Sequence, residues 1–289
     1  MPLTSRLNAA LLAGCVAAWL LAVAPGVLAA DDAAVIAEPL PPVVTPAPNL
    51  MEAFTLSTPT IELGGEEKKV DVYRPTTQAV RGVAIVAHGF ARTRGRHREL
   101  GIALASAGVI AVIPDLPHVM NLWGNGDAIV ELARALETGA LGLPPVDRHR
   151  LLLIGTSAGG LATVLAAAEL PGLAGWIGLD PVDRTGTGEA AAEKLTAPAV
   201  VLLGDPVPCN LFASGRALGR AAPVLLRMTA LPGASHCDFE WPTNRFCEAV
   251  CGAGSPDMQA RIRDATREAA LTLLPKSEAT TDASTATAE

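Results

Sequence analysis

Aromatic side chains are scarce in this chain: Phe, Trp and Tyr together make up 3% of its 289 residues. Half of the residues are nonetheless apolar, so a sizeable core is available and must be built from Ala, Val, Leu and Ile. Clusters of basic residues are lacking and the formal net charge is −7, which excludes nucleic acid as an expected partner. No internal repeat is visible. No Cys-x-x-C pair and no second histidine near His236 completes a zinc ligand set, so no metal is expected. The length suits one large α/β domain, or at most two small ones.

The N-terminus reads as separate from the fold. Arg6 is followed by the apolar stretch Leu7 to Leu28, then by small residues at the usual cleavage positions and by Asp31-Asp32. This is the pattern of a secretory signal peptide over residues 1–30, cut near Ala29 or Ala30. An uncleaved anchor helix is the alternative, but Gly14, Pro25 and Gly26 interrupt the stretch. A lipobox-like Leu12-Ala13-Gly14-Cys15 offers lipoprotein anchoring through Cys15 as a minor alternative, although the apolar run continues past it. Residues 31–49 include Pro-rich Glu38 to Pro48, expected to be an extended tether. Residues 277–289 form a Ser/Thr/Ala/Glu tail expected to be disordered. The folded domain is expected over residues 50–276, secreted or periplasmic, monomeric, and with no stable membrane span after signal cleavage.

Cysteine usage agrees with export. Cys209, Cys237, Cys247 and Cys251 suggest two disulfides with three possible connectivities. Cys247 and Cys251 are spaced to share one helical face and reach different partners. The preferred pairing joins Cys209 to Cys237 or Cys247.

Strand and helix patterns alternate along the domain. Ala53 to Leu63 and Lys69 to Tyr73 alternate polar and apolar residues, as half-exposed antiparallel strands do, with Gly64-Gly65 as the turn. Continuous apolar runs follow at Val83 to Ala87, Val109 to Ile113, Leu151 to Ile154, Trp176 to Leu179, Ala199 to Leu203 and Val224 to Met228. Such runs fit parallel strands buried on both faces. Helices are predicted at Glu99 to Ala107, Asp127 to Glu137, Gly159 to Glu169, around Ala190 to Leu195, and at Pro256 to Leu273. The alternation predicts an α/β fold, a doubly wound and mostly parallel sheet in a single domain without a large lid.

The run Leu151 to Ile154 leads into Gly155-Thr156-Ser157-Ala158-Gly159, and an Ala-rich helical segment follows at once. Strand, sharp turn and helix are the context of a G-x-S-x-G nucleophile elbow. The turn is expected to strain Ser157 and to need glycines where a Cβ would strike the adjoining strand and helix. A serine hydroxyl needs a general base, and the base needs an orienting carboxylate, in the chain order Ser, acid, His. His236, in a loop after the last apolar strand, is the best base. His97 and His149 compare poorly, and His118 precedes the serine. Asp205 follows the strand ending at Leu203, the commoner place for the acid in this arrangement. Asp180 follows the preceding strand, with Asp183 three residues on, and is also workable. These patterns leave Asp180 and Asp205 open. The oxyanion hole is expected from the N–H groups of Ala158 and of Phe90 in His88-Gly89-Phe90, with His88 structural.

Together, Ala87-His88-Gly89-Phe90, Gly155 to Gly160 and Leu179-Asp180-Pro181-Val182-Asp183 resemble the α/β-hydrolases from about Val70 to the last helix. More narrowly they resemble the chlorophyllase and dienelactone-hydrolase branch, which includes cutinase-like polyester hydrolases. In chlorophyllases the first aspartate of a similar Asp-Pro-Val-Asp segment is taken as the triad acid, so the resemblance implies Asp180. Ala158 stands where plant chlorophyllases usually have arginine, and the segment around His236 also differs, so chlorophyll is not implied. The expectation is a secreted serine hydrolase of carboxylic esters, with Ser157, Asp180 and His236 catalytic, Phe90 and Ala158 at the oxyanion, and no cofactor. Its substrate is a small-molecule or polymeric ester. An acyltransferase or amidase with the same triad, and a catalytically inactive binding module, are the alternatives. No insertion before His236 is long enough for a large lid, and His118, Trp123 and Trp241 are candidate pocket walls.

Overall fold

The computed structural model describes residues 53–276. The signal segment, the tether and the tail anticipated above all lie outside the described residues, as does Cys15.

The domain opens with three antiparallel strands, β1 (Phe54–Ser57), β2 (Thr60–Leu63) and β3 (Glu66–Pro75). The run expected as one strand over Ala53 to Leu63 is thus two. Pro59 has no N–H for a ladder, and its carbonyl instead accepts from Val70 N at 2.9 Å. β1 then pairs with the second half of β3 and β2 with the first half. Gly64 and Gly65 both have positive φ, as a two-residue hairpin turn requires.

Six further strands are β4 (Gly82–Ala87), β5 (Val109–Pro114), β6 (Leu151–Thr156), β7 (Gly175–Leu179), β8 (Ala199–Leu203) and β9 (Leu225–Ala230). The sheet order is β1-β3-β5-β4-β6-β7-β8-β9, with β2 on β3, and pairing is parallel from β5 to β9. Strands β4 to β8 are buried throughout, which explains their unbroken apolar runs. Alternation still sorts their side chains. Val83, Ile85 and Ala87 enter the core on one face, and Ala84 and Val86 the core on the other.

Helices α1 (Arg98–Ser106), α2 (Leu122–Glu137), α3 (Ala158–Glu169), α4 (Thr187–Ala192), α5 (Gly215–Ala221), α6 (Arg245–Cys251) and α7 (Pro256–Leu273) connect or flank the strands. α2 starts earlier than expected because Asn121 caps it, accepting from Gly124 N at 2.9 Å. α4 begins and ends earlier than the expected helix. α5 carries too little apolar periodicity to be anticipated, and of α6 only the shared face of Cys247 and Cys251 was. β4, β6, β7 and β8 are neighbours and parallel, so the loops after their carboxyl ends converge, the usual place for a site on such a sheet.

Candidate active site

Strand β6 delivers Ser157 to the start of α3 with φ +56° and ψ −124°, a conformation that L-residues rarely adopt. Its N–H donates to Leu179 O at 3.1 Å, fastening the elbow to β7. The glycine requirement is steric. A Cβ on Gly159 would lie 2.5 Å from the carbonyl oxygens of both Ala87 and His88, and one on Gly160 2.5 Å from Pro181 Cβ. The first turn of α3 is therefore wedged between the ends of β4 and β7.

His236 starts a single 3-10 turn, His236–Phe239, after β9. Asp238 secures this turn. Its Oδ2 accepts from Ser235 N (2.8 Å) and Ser235 Oγ (3.0 Å), and its Oδ1 from Ser255 N (2.6 Å). His236 Nε2 lies 2.9 Å from Ser157 Oγ, and Nδ1 lies 2.6 Å from Asp180 Oδ2. Asp180 is fully buried at the end of β7, with φ +44°. Gly204 N donates to its Oδ1 at 3.0 Å and Asn210 Nδ2 to its Oδ2 at 3.0 Å. With only donors around that carboxylate, His236 carries its proton on Nδ1. Bare Nε2 is left to accept from the Ser157 hydroxyl, the arrangement a general base needs.

The other candidate acids stand elsewhere. Asp205 Oδ2 accepts from Gly233 N at 2.9 Å and is exposed. Asp183 accepts from Thr185, Gly186 and Glu189 N–H groups, bracing the start of α4. His88 is engaged with backbone groups on both ring nitrogens. Its Nε2 accepts from Leu116 N at 3.0 Å and its Nδ1 lies 2.9 Å from Gly89 O. Burial holds its pKa below the ordinary histidine value. His97 is completely buried, edge-on to Trp241 with ring centroids 6.4 Å apart. Burial, with the nearby His88 and Arg92, pushes its pKa down to about 3. His149 lies beside Gly172 at the start of β6.

The loop after β4 passes directly over the serine. A Cβ on Gly89 would lie 3.1 Å from Ser157 Cβ and 3.6 Å from its Oγ. This brings Phe90 to the rim, while Ala158 is the first residue of α3, where backbone N–H groups have no intrahelical acceptor.

A cavity of about 720 Å³, counting its part open to solvent, reaches Ser157 and His236. A smaller recess of about 310 Å³ lies across the Gly89-Phe90 ridge and is lined by His118 and Ala158. Trp241, a candidate wall, is instead fully buried, and Trp123 stands half-exposed on α2. No large lid is present among the described residues, but α6 walls the cavity with Phe246, Cys247, Val250 and Cys251. The cysteine pairing is corrected here. The disulfides are Cys209–Cys251 and Cys237–Cys247, not Cys209 with Cys237 or Cys247. Cys247, one turn before Cys251 on α6, lies against the His236 turn, and Cys251 lies over the loop after β8. The sulfurs of Cys237, Cys247 and Cys251 are within 4.8 Å of one another, but as disulfides they offer no thiolate to a metal.

Several supporting residues carried no signal in the sequence. Asn210 donates to Asp180 and Asp205 O and accepts from Val207 and Ala213 N–H groups, so one side chain organises the loop after β8 and ties it to Asp180. Arg92, just past the Phe90 ridge, forms a bidentate pair with buried Glu240 and reaches Asn244 Oδ1 at 3.3 Å. Asn244 in turn caps α6 through Cys247 N at 3.0 Å. Arg92 therefore ties the ridge to the His236 segment and the wall helix. A buried Arg–Glu clasp has no local pattern that announces it.

Among solved structures, the chain is similar to a dienelactone hydrolase from Anabaena variabilis, with 18% identity, 77% of this chain and 100% of that chain covered, and a TM-score of 0.61. It is also similar to brefeldin A esterase, a bacterial homologue of human hormone sensitive lipase, with 17% identity, 80% and 79% of the two chains covered, and a TM-score of 0.56. No family model matches the sequence, and no curated protein matches it. The shared architecture is the α/β-hydrolase fold, and this chain has it.

Proposed function

We propose that this chain is a secreted serine hydrolase that cleaves carboxylic esters through an acyl-enzyme on Ser157. Support comes chiefly from the unbroken hydrogen-bond chain from Ser157 Oγ through both nitrogens of His236 to buried Asp180. The solved neighbours include a dienelactone hydrolase and an esterase, chemistry of the same kind. In the proposed reaction Ser157 Oγ attacks the ester carbonyl carbon while His236 Nε2 takes its proton. Asp180 holds the imidazole and offsets the charge of the imidazolium. The N–H groups of Phe90 and Ala158 donate to the oxyanion. The tetrahedral intermediate collapses, and His236 returns the proton to the departing alcohol. A water, deprotonated by His236, then attacks the acyl carbon, releases the acid and restores Ser157. No step calls on a metal or an organic cofactor.

Two disulfides favour an oxidising compartment, in line with the export signal read from the N-terminus. No helix among the described residues is long and apolar enough to cross a membrane. A fluorophosphonate probe tests the reading. The wild-type protein is expected to be labelled and to turn over p-nitrophenyl acetate, and Ser157→Ala to do neither. An unlabelled wild-type protein, or an equally active Ser157→Ala, refutes it and favours an inactive binding module or another nucleophile.

A further inference from the structure

Helix α6 presents an unusual face. Phe246 and Val250, four apart, share one side of it, and Cys247 and Cys251 lie one position on from each; all four line the cavity that touches Ser157 and His236. Phe246 is 50% exposed and Val250 40% exposed, so large apolar groups stand partly in water at the mouth of the site. Such a patch beside reacting groups is a sign of a binding surface. The helix cannot simply swing aside, since both disulfides and the Asn244 cap hold it. The charged groups in the cavity wall, Arg92 and Glu240, neutralise each other. The cavity therefore offers no unpaired charge to a carboxylate or an ammonium.

Resting on the serine-hydrolase reading above, we propose that this cavity takes the acyl chain of the ester, and that the substrate class is esters of uncharged, apolar acids longer than acetate. α6 is the wall that sets this preference. The choice of arm follows from the order of events. Water must replace the alcohol beside His236 for deacylation, so the alcohol side has to be reachable by water. The acyl chain stays covalently attached through that step and keeps an apolar cavity filled and dry. Each methylene buried against Phe246 and Val250 contributes about 0.8 kcal/mol when fully covered, or about fourfold in kcat/KM, and about twofold in a half-open cleft.

The test is kcat/KM on p-nitrophenyl acetate, butyrate, hexanoate and octanoate. The expected result is a rise from acetyl to hexanoyl on the order of 15- to 250-fold, four methylenes at about two- to fourfold each. A p-nitrophenyl ester of similar length ending in a free carboxylate is expected to fall below the uncharged one. Phe246→Ser with Val250→Ser is expected to lower the hexanoyl-to-acetyl ratio by about tenfold. Leu226→Ser, at an exposed position on β9, is expected to leave the ratio unchanged. Val250→Ser alone, at a partly exposed position, gives the same direction should the double variant misfold. A flat or falling wild-type profile, or a ratio indifferent to the α6 substitutions, overturns the proposal while fluorophosphonate labelling of Ser157 persists. Loss of labelling in the wild-type protein overturns the serine-hydrolase reading itself, and the acyl-chain proposal with it.

Discussion

Asp180→Asn exchanges one carboxylate oxygen for an NH2 group and little else. The backbone at this position has φ +44°, a region that Asn enters about as readily as Asp, so the replacement tests chemistry and not backbone strain. Three donors converge on the carboxylate: Gly204 N–H, Asn210 Nδ2 and His236 Nδ1. An amide has one acceptor oxygen. If that oxygen stays with Gly204, the new NH2 group faces His236, and the imidazole accepts at Nδ1 and carries its proton on Nε2. It can then no longer take a proton from Ser157. The expected loss in kcat is about 10⁴-fold, or about 5 kcal/mol of transition-state stabilisation. The stability cost is smaller. One buried donor left against another costs about 1–3 kcal/mol, which lowers Tm by about 2–4 °C per kcal/mol in a domain of this size. Asp205→Asn keeps an oxygen for Gly233 N–H at an exposed position, and its turnover is expected to stay within about twofold of wild type. Steady-state hydrolysis of p-nitrophenyl acetate and calorimetric Tm measure both effects. Retention of more than about a tenth of kcat by Asp180→Asn, with collapse in Asp205→Asn, would show that the acid had been misassigned.

Arg92→Met strands Glu240, whose side chain is 7% exposed. Losing one partner of a buried pair costs about 3–5 kcal/mol, so Tm should fall by about 10 °C; a change under about 2 °C would mean the clasp contributes little. Acid should destabilise the fold through His97. Its pKa is pushed down to about 3 in the folded chain, against about 6.5 when unfolded. Between those values the unfolded state binds the extra proton. Stability is therefore complete above about pH 6.5 and is lost as pH falls toward 3, on the order of 1 kcal/mol per pH unit. Buried His88 acts in the same direction. Chemical denaturation of His97→Phe across that range should give a flatter pH profile, and an unchanged slope would count against the assignment. The two disulfides should separate by assay. Cys209–Cys251 spans 42 residues and Cys237–Cys247 spans 10, worth about 4 and about 3 kcal/mol by chain entropy. Replacing the first pair by Ala should lower Tm more. Replacing the second should lower kcat more, because Cys237 adjoins His236. Equal effects of the two replacements on kcat would contradict this division.

The elbow was legible in the sequence because everything that makes it is local. An apolar run, two glycines at fixed offsets from Ser157 and a helix-forming stretch act within a dozen or so residues. The buried parallel strands were legible for the same reason, since burial on both faces writes an unbroken apolar run into each. His236 was singled out by elimination, as the histidine after the last strand, and it lies within hydrogen-bond distance of Ser157 and Asp180. The acid was not decided by such patterns, because Asp180 and Asp205 end neighbouring strands and either loop can reach the imidazole. Only the resemblance separated them in advance.

Local order alone thus determined the strand–turn–helix around Ser157 and the succession of strands. Tertiary structure decided which carboxylate meets His236, since Asn210 and Gly204 gather around Asp180 while Asp205 turns away to Gly233. It also decided the cysteine partners, the Arg92–Glu240 clasp and the wall made by α6. Each of these joins residues distant along the chain, and their meeting depends on how whole strands and loops pack. A short-range pattern records which conformation a segment prefers; it carries no record of what arrives beside that segment from elsewhere.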